Sequence, residues 1–116
     1  YRGIALATTE DLDGAALAFE EAIKLSAPSA ELLSRLGRVR MRQGRTKEGL
    51  DCFERAVKLE PASVEHLMLL GRSLIVARDY QRATAVLEKC VQLAPDDTAI
   101  RELAGRARQA AGGQGN

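Results

Sequence analysis

Arginine recurs in this 116-residue chain with a spacing that could recognise acidic groups. Arg38, Arg72 and Arg106 follow one another at a constant interval. Arg35 and Arg42 lie three and four residues from Arg38, so they would share one face of a helix with it. A guanidinium group presents a fork of N–H donors that matches a carboxylate or a phosphate in bidentate geometry. The pattern therefore indicates recognition of an anion.

The titratable residues form no constellation that a reaction could use. The single histidine, His66, has no cysteine near it in the sequence, and we expect it to be exposed or partly packed. Asp96 and Asp97 precede a helical pattern and lack further oxygen ligands, which favours a helix cap over a metal site. The sequence therefore predicts a binding protein that is not an enzyme and that holds no metal and no cofactor.

The two cysteines, Cys52 and Cys90, lack the spacing of metal ligands. We expect Cys90 in the core, because alanine fills the related positions, and Cys52 at a helix surface or partly buried. Since no disulfide is required, the cytoplasm or another reducing compartment is favoured. The net charge of +1 gives no overall attraction to nucleic acid or to an anionic membrane. No apolar run reaches the ~18 residues that a transmembrane segment needs.

The positions around the arginines repeat with the same period. A glycine precedes each repeated arginine, and a glycine inside a helix costs ~1 kcal/mol relative to alanine. This recurrence indicates that two helices press closely together at every one of these positions, as in a repeat array. These glycines are Gly37, Gly71 and Gly105, and Gly3 lies one period earlier, before Ile4. Large apolar residues recur as Phe19, Phe53 and Leu87, and prolines as Pro28, Pro61 and Pro95, with Pro28 one residue out of step.

The hydrophobic spacing predicts two helices in each repeated unit. The predicted helices cover residues 1–8, 12–26, 30–43, 47–60, 64–77, 81–94 and 98–111. Gly44 follows one of these helices in the position of a left-handed C-cap. We therefore predict an array over 1–111, followed by a flexible tail over 112–116.

The predicted array divides into three repeats and a capping helix. The repeats are 1–29, 30–63 and 64–97, and the capping helix is 98–111. The first repeat begins partway along its first helix, which we interpret as a fragment cut from a longer array. Arg101, Glu102 and Arg108 give the last helix a polar outer face, which the end of a stack of helices requires.

These periodic residues resemble the tetratricopeptide repeat family. Its 34-residue pattern has a leucine–glycine pair in the first helix, then an alanine, a bulky apolar residue, a second alanine and a proline in the second helix. The second unit here has Leu36-Gly37, Gly49, Phe53, Ala56 and Pro61, and the third has Leu70-Gly71, Ala83, Leu87, Cys90 and Pro95. The chain departs from the family at Leu33 and Leu67, where tryptophan is usual, and at Arg40, where an aromatic residue is common.

The resemblance implies an all-α fold, a right-handed superhelical stack of antiparallel helix pairs (an α-solenoid). It implies about three repeats plus a C-terminal capping helix, with the first helix of each pair lining a concave groove. The binding residues predicted on this basis are Arg35, Arg38, Met41, Arg42, Met68, Arg72, Ile75 and Arg106. Because methionine adapts to varied apolar side chains, we expect a protein or peptide partner whose bound segment is acidic with apolar anchors. No small-molecule substrate is expected.

Other interpretations of the same residues stay open. The arginines could form a solvated face that is paired internally; for Arg38 the candidate partners are Glu31, Glu65 and Glu102. The array could also associate with itself, because a truncated first repeat would leave Leu12 and Phe19 poorly covered. RNA binding is favoured least, since aromatic residues make up only 3% of the chain and could stack few bases.

Overall fold

The computed structural model describes residues 9–25 and 29–114, and these residues form helices without any β-strand. The helices are α1 (Thr9–Leu25), α2 (Ala30–Arg42), α3 (Thr46–Leu59), α4 (Val64–Val76), α5 (Tyr80–Leu93) and α6 (Thr98–Gln114). Each packs mainly against its neighbours along the chain, and α2 also touches α4. Short connections from α2 onward make consecutive helices antiparallel. The predicted all-α solenoid is confirmed, while the predicted helix 1–8 lies outside the described residues.

Side chains just before four of the helices fix where these helices begin, and one of them is Asp79, which accepts a hydrogen bond from the backbone N–H of Arg82 at the start of α5. Ser29 and Ser63, which occupy the same position in successive repeats, accept hydrogen bonds from the backbone N–H groups at the third position after them. Asp97 accepts from the backbone N–H of Ile100 at 3.2 Å, which confirms the cap predicted at this pair of aspartates. Gly44 has a φ of +82° after α2, so the predicted left-handed cap is also confirmed.

The core lies between successive helices and consists mainly of leucine and alanine side chains, with Phe53 as its largest residue. Its fully buried large side chains are Phe53, Leu33, Leu74, Leu87 and Cys90. The buried position of Cys90 confirms the prediction for this residue. Cys52 is only 5% exposed and packs with Ala16 and Leu36, so the prediction of a surface or partly buried thiol is wrong. The reason is that α3 is covered on two sides, and Cys52 faces the side where α1 and α2 meet.

The repeated glycines differ in how closely another helix packs against them. A Cβ added to Gly37 would lie 2.7 Å from Phe53 Cε1, and one added to Gly71 would lie 2.6 Å from Leu87 Cδ2. Close helix packing is therefore confirmed at both positions. At Gly105 a Cβ would meet nothing within 4 Å, so the prediction is wrong there, because no described helix follows α6. Gly3 lies outside the described residues.

The last helix is longer than the sequence pattern predicts. It continues to Gln114, so residues 112–114 are helical rather than part of a flexible tail. Neither Gly112 nor Gly113 has a positive φ, and Ala110 and Ala111 before them are good helix formers. No helix within residues 9–25 and 29–114 combines the length and the apolar character needed to cross a membrane.

Candidate functional site

A hollow of about 530 Å³ opens between α2 and α4, and we call it the α2–α4 groove. Its walls come from the same four positions of the two helices, so that each residue of α2 has its equivalent one repeat later in α4. The pairs are Arg35 with Leu69, Arg38 with Arg72, Val39 with Ser73, and Arg42 with Val76. On each helix these positions follow a spacing of three, one and three residues, which is one continuous helical stripe. Phe19, Met41 and Phe53 complete the lining.

The structure brings together five of the eight binding residues predicted from the sequence. Arg35, Arg38, Met41, Arg42 and Arg72 all line the groove. The other three lie elsewhere, and they are Met68, Ile75 and Arg106.

Two of these three are held by the core and one lies at the far end of the chain. Met68 and Ile75 are half-buried and pack against the core cluster that includes α5 and α6. Arg106 lines a separate hollow on α6. The groove does not extend to α6, because the hollow that Arg106 lines shares no residue with it.

The arginines of the groove differ in their pairing. Arg35 forms an ion pair of 2.6 Å with Glu31, one turn earlier in α2. Among the described residues, Arg38, Arg42 and Arg72 have no hydrogen-bond or ion-pair partner, and all three are exposed. Internal pairing of Arg38 with a glutamate is therefore not seen in the described part of the chain. Three guanidinium groups keep their donors available to an anion.

Apolar side chains form the floor between the arginines. Phe19, Val39 and Leu69 are half-buried there, and Val76 is 65% exposed at one end. Sequence reasoning missed Phe19, Val39, Phe53, Leu69 and Ser73 as lining residues. The register of the repeats could have found Leu69, since it places this residue at the position of Arg35. No such signal exists for Phe19, whose place depends on how α1 lies against α2.

A second, more polar hollow of about 550 Å³ adjoins the groove and shares Arg35, Arg38 and Leu69 with it. Its remaining lining residues are Glu31, Ser34, Glu60, Ser63, Glu65 and His66. They come from α2, from the connection between α3 and α4, and from the first turn of α4. The wall between the two hollows therefore consists of two arginines and one leucine.

The ring of His66 bridges two helices at the base of this second hollow. Its Nδ1 lies 2.8 Å from Ser34 Oγ on α2, and its Nε2 lies 3.4 Å from Glu60 Oε1. His66 is 8% exposed, so the expectation of an exposed or partly packed histidine is wrong. The reason lies in the register, because position 66 is equivalent to position 100, where Ile100 is also buried.

The order of Ser34, His66 and Glu60 matches the order of groups in a hydrolase triad, but its surroundings do not suit that chemistry. Ser34 is 6% exposed and sits inside α2, where backbone N–H groups are already used within the helix. Among the described residues, no backbone N–H of this part of α2 is therefore free to stabilise an oxyanion beside its hydroxyl. The contact between Ser34 and His66 joins α2 to α4.

Comparison with known proteins agrees with this architecture. A family model described as "Tetratricopeptide repeat" matches residues 34–98, which is more than half of the chain. A comparison with curated protein sequences finds no match. The helices also superpose on solved structures of MamA, at a TM-score of 0.78 with 20% identity over 87% of this chain and at 0.79 with 23% identity over 97%.

A further solved structure, described as "MamA RS-1 ArsTM double mutant", matches at a TM-score of 0.80 with 24% identity over 88% of this chain. At these identities the likeness shows the fold alone. The present chain spans 55%, 66% and 57% of the lengths of the three neighbours.

Proposed function

Because this chain belongs to the tetratricopeptide repeat family, we propose that it is an adaptor whose α2–α4 groove binds an acidic segment of another protein that carries apolar anchors. Family and fold make it a protein-interaction module. The finer proposal depends on one observation, which is that the exposed and unpaired side chains of Arg38, Arg42 and Arg72 surround an apolar floor. A ligand with only acidic groups would leave the apolar floor uncovered, and a ligand with only apolar groups would leave the arginines unpaired.

The two parts of the groove contribute differently to binding. Burying one leucine-sized side chain contributes about 1.5–3 kcal/mol, whereas an exposed ion pair contributes about 0.2–1 kcal/mol. Apolar anchors on Val39, Leu69 and Val76 therefore supply most of the affinity. The arginines select acidic partners over others and accelerate association, and this contribution weakens as salt rises.

The test uses a fluorescent peptide of alternating leucine and glutamate, with a matched peptide in which glutamine replaces every glutamate. Fluorescence anisotropy gives the dissociation constant of each peptide for the intact chain and for an Arg38→Ala, Arg72→Ala double variant. We expect the double variant to bind the acidic peptide about 3- to 30-fold more weakly, since two exposed ionic contacts are lost. Its affinity for the glutamine peptide should not change.

An Arg101→Ala, Arg106→Ala double variant is the matched control, because both arginines are exposed outside the groove and their removal also takes away two positive charges. This variant should bind the acidic peptide as the unmodified chain does. If the double variant binds the acidic peptide with unchanged affinity, the proposed role of the groove arginines is wrong. If neither peptide binds the unmodified chain, the groove is not the binding surface for such segments.

A further inference from the structure

Glu65 lies in the first turn of α4, at the position that Glu31 occupies in α2. Glu31 pairs with Arg35 one turn later, whereas α4 has Leu69 at the position of Arg35. The side chain of Glu65 is exposed and has no hydrogen bond or ion pair within the part of the chain that the structure describes. A carboxylate in the first turn suits the helix dipole, but the dipole does not account for a leucine in place of the neighbouring cation.

Glu65 lines the second hollow, beside the wall that this hollow shares with the α2–α4 groove. Arg38 and Leu69 belong to that wall, and the guanidinium group of Arg38 is unpaired among the described residues. The remaining charged groups of the hollow take part in two contacts, Glu31 with Arg35 and Glu60 with His66. A segment that crosses this wall from the groove therefore meets a guanidinium group and a carboxylate that the described chain leaves unpaired.

We propose that Glu65 selects a basic residue in the bound segment, next to the apolar anchor that packs on Leu69. This inference rests on the proposed function, because it concerns the ligand of the α2–α4 groove. Read along α4, Arg72, Leu69 and Glu65 present a guanidinium group, an apolar side chain and a carboxylate in turn. The complementary segment has an acidic, an apolar and a basic residue in that order. An acidic residue in the third place is repelled by Glu65, so the carboxylate also rejects a segment that is acidic throughout.

The spacing of these three residues fits an extended segment that lies along α4. Positions 65 and 72 are seven residues apart, which corresponds to ~10.5 Å along the axis of a helix. Three alternate residues of an extended chain point to the same side and span roughly 13 Å. The difference of about 2.5 Å is small compared with the length of an arginine or a glutamate side chain. An acidic, an apolar and a basic residue at alternate positions therefore reach Arg72, Leu69 and Glu65 together.

The experiment compares three fluorescent peptides that share the order glutamate, serine, leucine, serine and end this stretch with lysine, glutamine or glutamate. Fluorescence anisotropy gives the dissociation constant of each peptide. The unmodified chain should bind the lysine peptide about 2- to 5-fold more tightly than the glutamine peptide, as expected for one exposed ion pair. Glu65→Gln should bind these two peptides equally. Glu65→Lys should prefer the glutamate peptide to the lysine peptide, a reversal that a purely structural role of Glu65 does not produce.

Glu102→Gln is the matched control, because Glu102 is also exposed and its substitution removes the same charge outside both hollows. This variant should keep the preference of the unmodified chain for the lysine peptide. Circular dichroism checks that each variant remains helical.

The leucine–glutamate peptide, measured alongside, separates this inference from the proposed function. If it binds the unmodified chain but the lysine peptide binds no better than the glutamine peptide, the inference is overturned and the proposed function stands. The same conclusion follows if Glu65→Gln and Glu65→Lys keep the full preference for lysine. If the leucine–glutamate peptide does not bind the unmodified chain, the proposed function fails, and the inference that rests on it fails as well.

Discussion

The guanidinium group of Arg40 donates to the carboxylate of Glu20, and this bond joins α2 to α1. The same guanidinium lies 3.3 Å from a carboxylate oxygen of Glu48 on α3. The side chain of Arg40 is only 12% exposed, so it fills space between three helices while its charge is paired. Family resemblance favours an aromatic residue here, and the ion pairs explain how an arginine is accommodated.

An equivalent arginine–glutamate bond is present at the other end of the array, and its two residues are again 20 positions apart in the sequence. Arg108 on α6 donates to Glu88 on α5 at 2.7 Å. In the middle of the array the position equivalent to Arg40 and Arg108 is occupied by Leu74. Glu54, at the position equivalent to Glu20 and Glu88, accepts from Arg82 instead. Equivalent glutamates of successive units thus each bond to a following arginine, although that arginine is not always at the same position.

Arg40→Ala is predicted to lower the free energy of unfolding by about 1–2 kcal/mol. The variant loses the packed stem of the arginine and leaves Glu20 and Glu48 without it, but both carboxylates are partly exposed and can be hydrated again. Arg45→Ala is the control, because its 3.5 Å pair with Glu48 is exposed on both sides and its loss should change stability by less than about 0.5 kcal/mol. Urea unfolding followed by circular dichroism measures both. Equal losses in the two variants would contradict the special role of Arg40.

The contrast between Gly37 and Gly105 gives a second prediction. Gly37→Ala forces a methyl group against the buried ring of Phe53 and should destabilise the chain by about 1–3 kcal/mol. Gly105→Ala adds a methyl group where nothing lies within 4 Å, and should stabilise α6 by up to ~1 kcal/mol through helix propensity. Thermal unfolding compares the two variants directly. Stabilisation of both variants would show that helix propensity outweighs the contact with Phe53.

The turns after α2 and α4 supply a third prediction, because equivalent residues there have the same unusual backbone. Gly44 has a φ of +82°, and Arg78, at the same position of the next unit, has a φ of +64°. A side chain costs roughly 1–2 kcal/mol in this left-handed region. Gly44→Ala should therefore destabilise the chain by about 1 kcal/mol, and Arg78→Gly should stabilise it or leave it unchanged. Chemical denaturation measures both, and a stabilised Gly44→Ala variant would contradict the assignment of strain.

Sequence reasoning succeeded where a residue's neighbour belongs to the same repeat. The recurrence of Gly37 and Gly71 predicts close helix packing at these positions, because the second helix of a unit folds back on the first through a short connection. The same spacing predicts helix ends such as Gly44 to within about two residues. Five of the eight predicted binding residues also line one groove. Local periodicity was sufficient for the helix packing and the helix ends, and the residues of the groove followed from the family resemblance.

Sequence reasoning failed where the neighbour lies in another unit or where the repeat ends. Cys52 and His66 are buried by helices of the adjacent unit, and the pattern of one unit does not show that cover. Arg106 follows the same spacing as Arg38 and Arg72 but lines a separate hollow on α6, which shares no residue with the groove. A period identifies equivalent positions, while the packing between units decides whether these positions share one surface.

The burial of Cys90 predicts a loss of stability in alkaline solution. Burial raises the pKa of this thiol from 9.0 to about 11. Below about pH 8 the thiol is largely protonated in both the folded and the unfolded chain, so it has little effect on the folding equilibrium. Between about pH 9 and pH 11 the unfolded chain releases this proton and the folded chain retains it, so the free energy of unfolding falls as pH rises.

Cys90→Ala isolates this effect from other groups that titrate in the same range. Alanine suits the site because Ala56, at the equivalent position of the preceding unit, is also fully buried. Burial is likewise the main reason that the pKa of Cys52 is raised, and Cys52 remains in the variant as an internal reference. Unfolding in urea at about pH 8 and about pH 10 should show a smaller loss of stability in the variant than in the unmodified chain. Identical losses would mean that Cys90 ionises as readily in the folded chain as in the unfolded one.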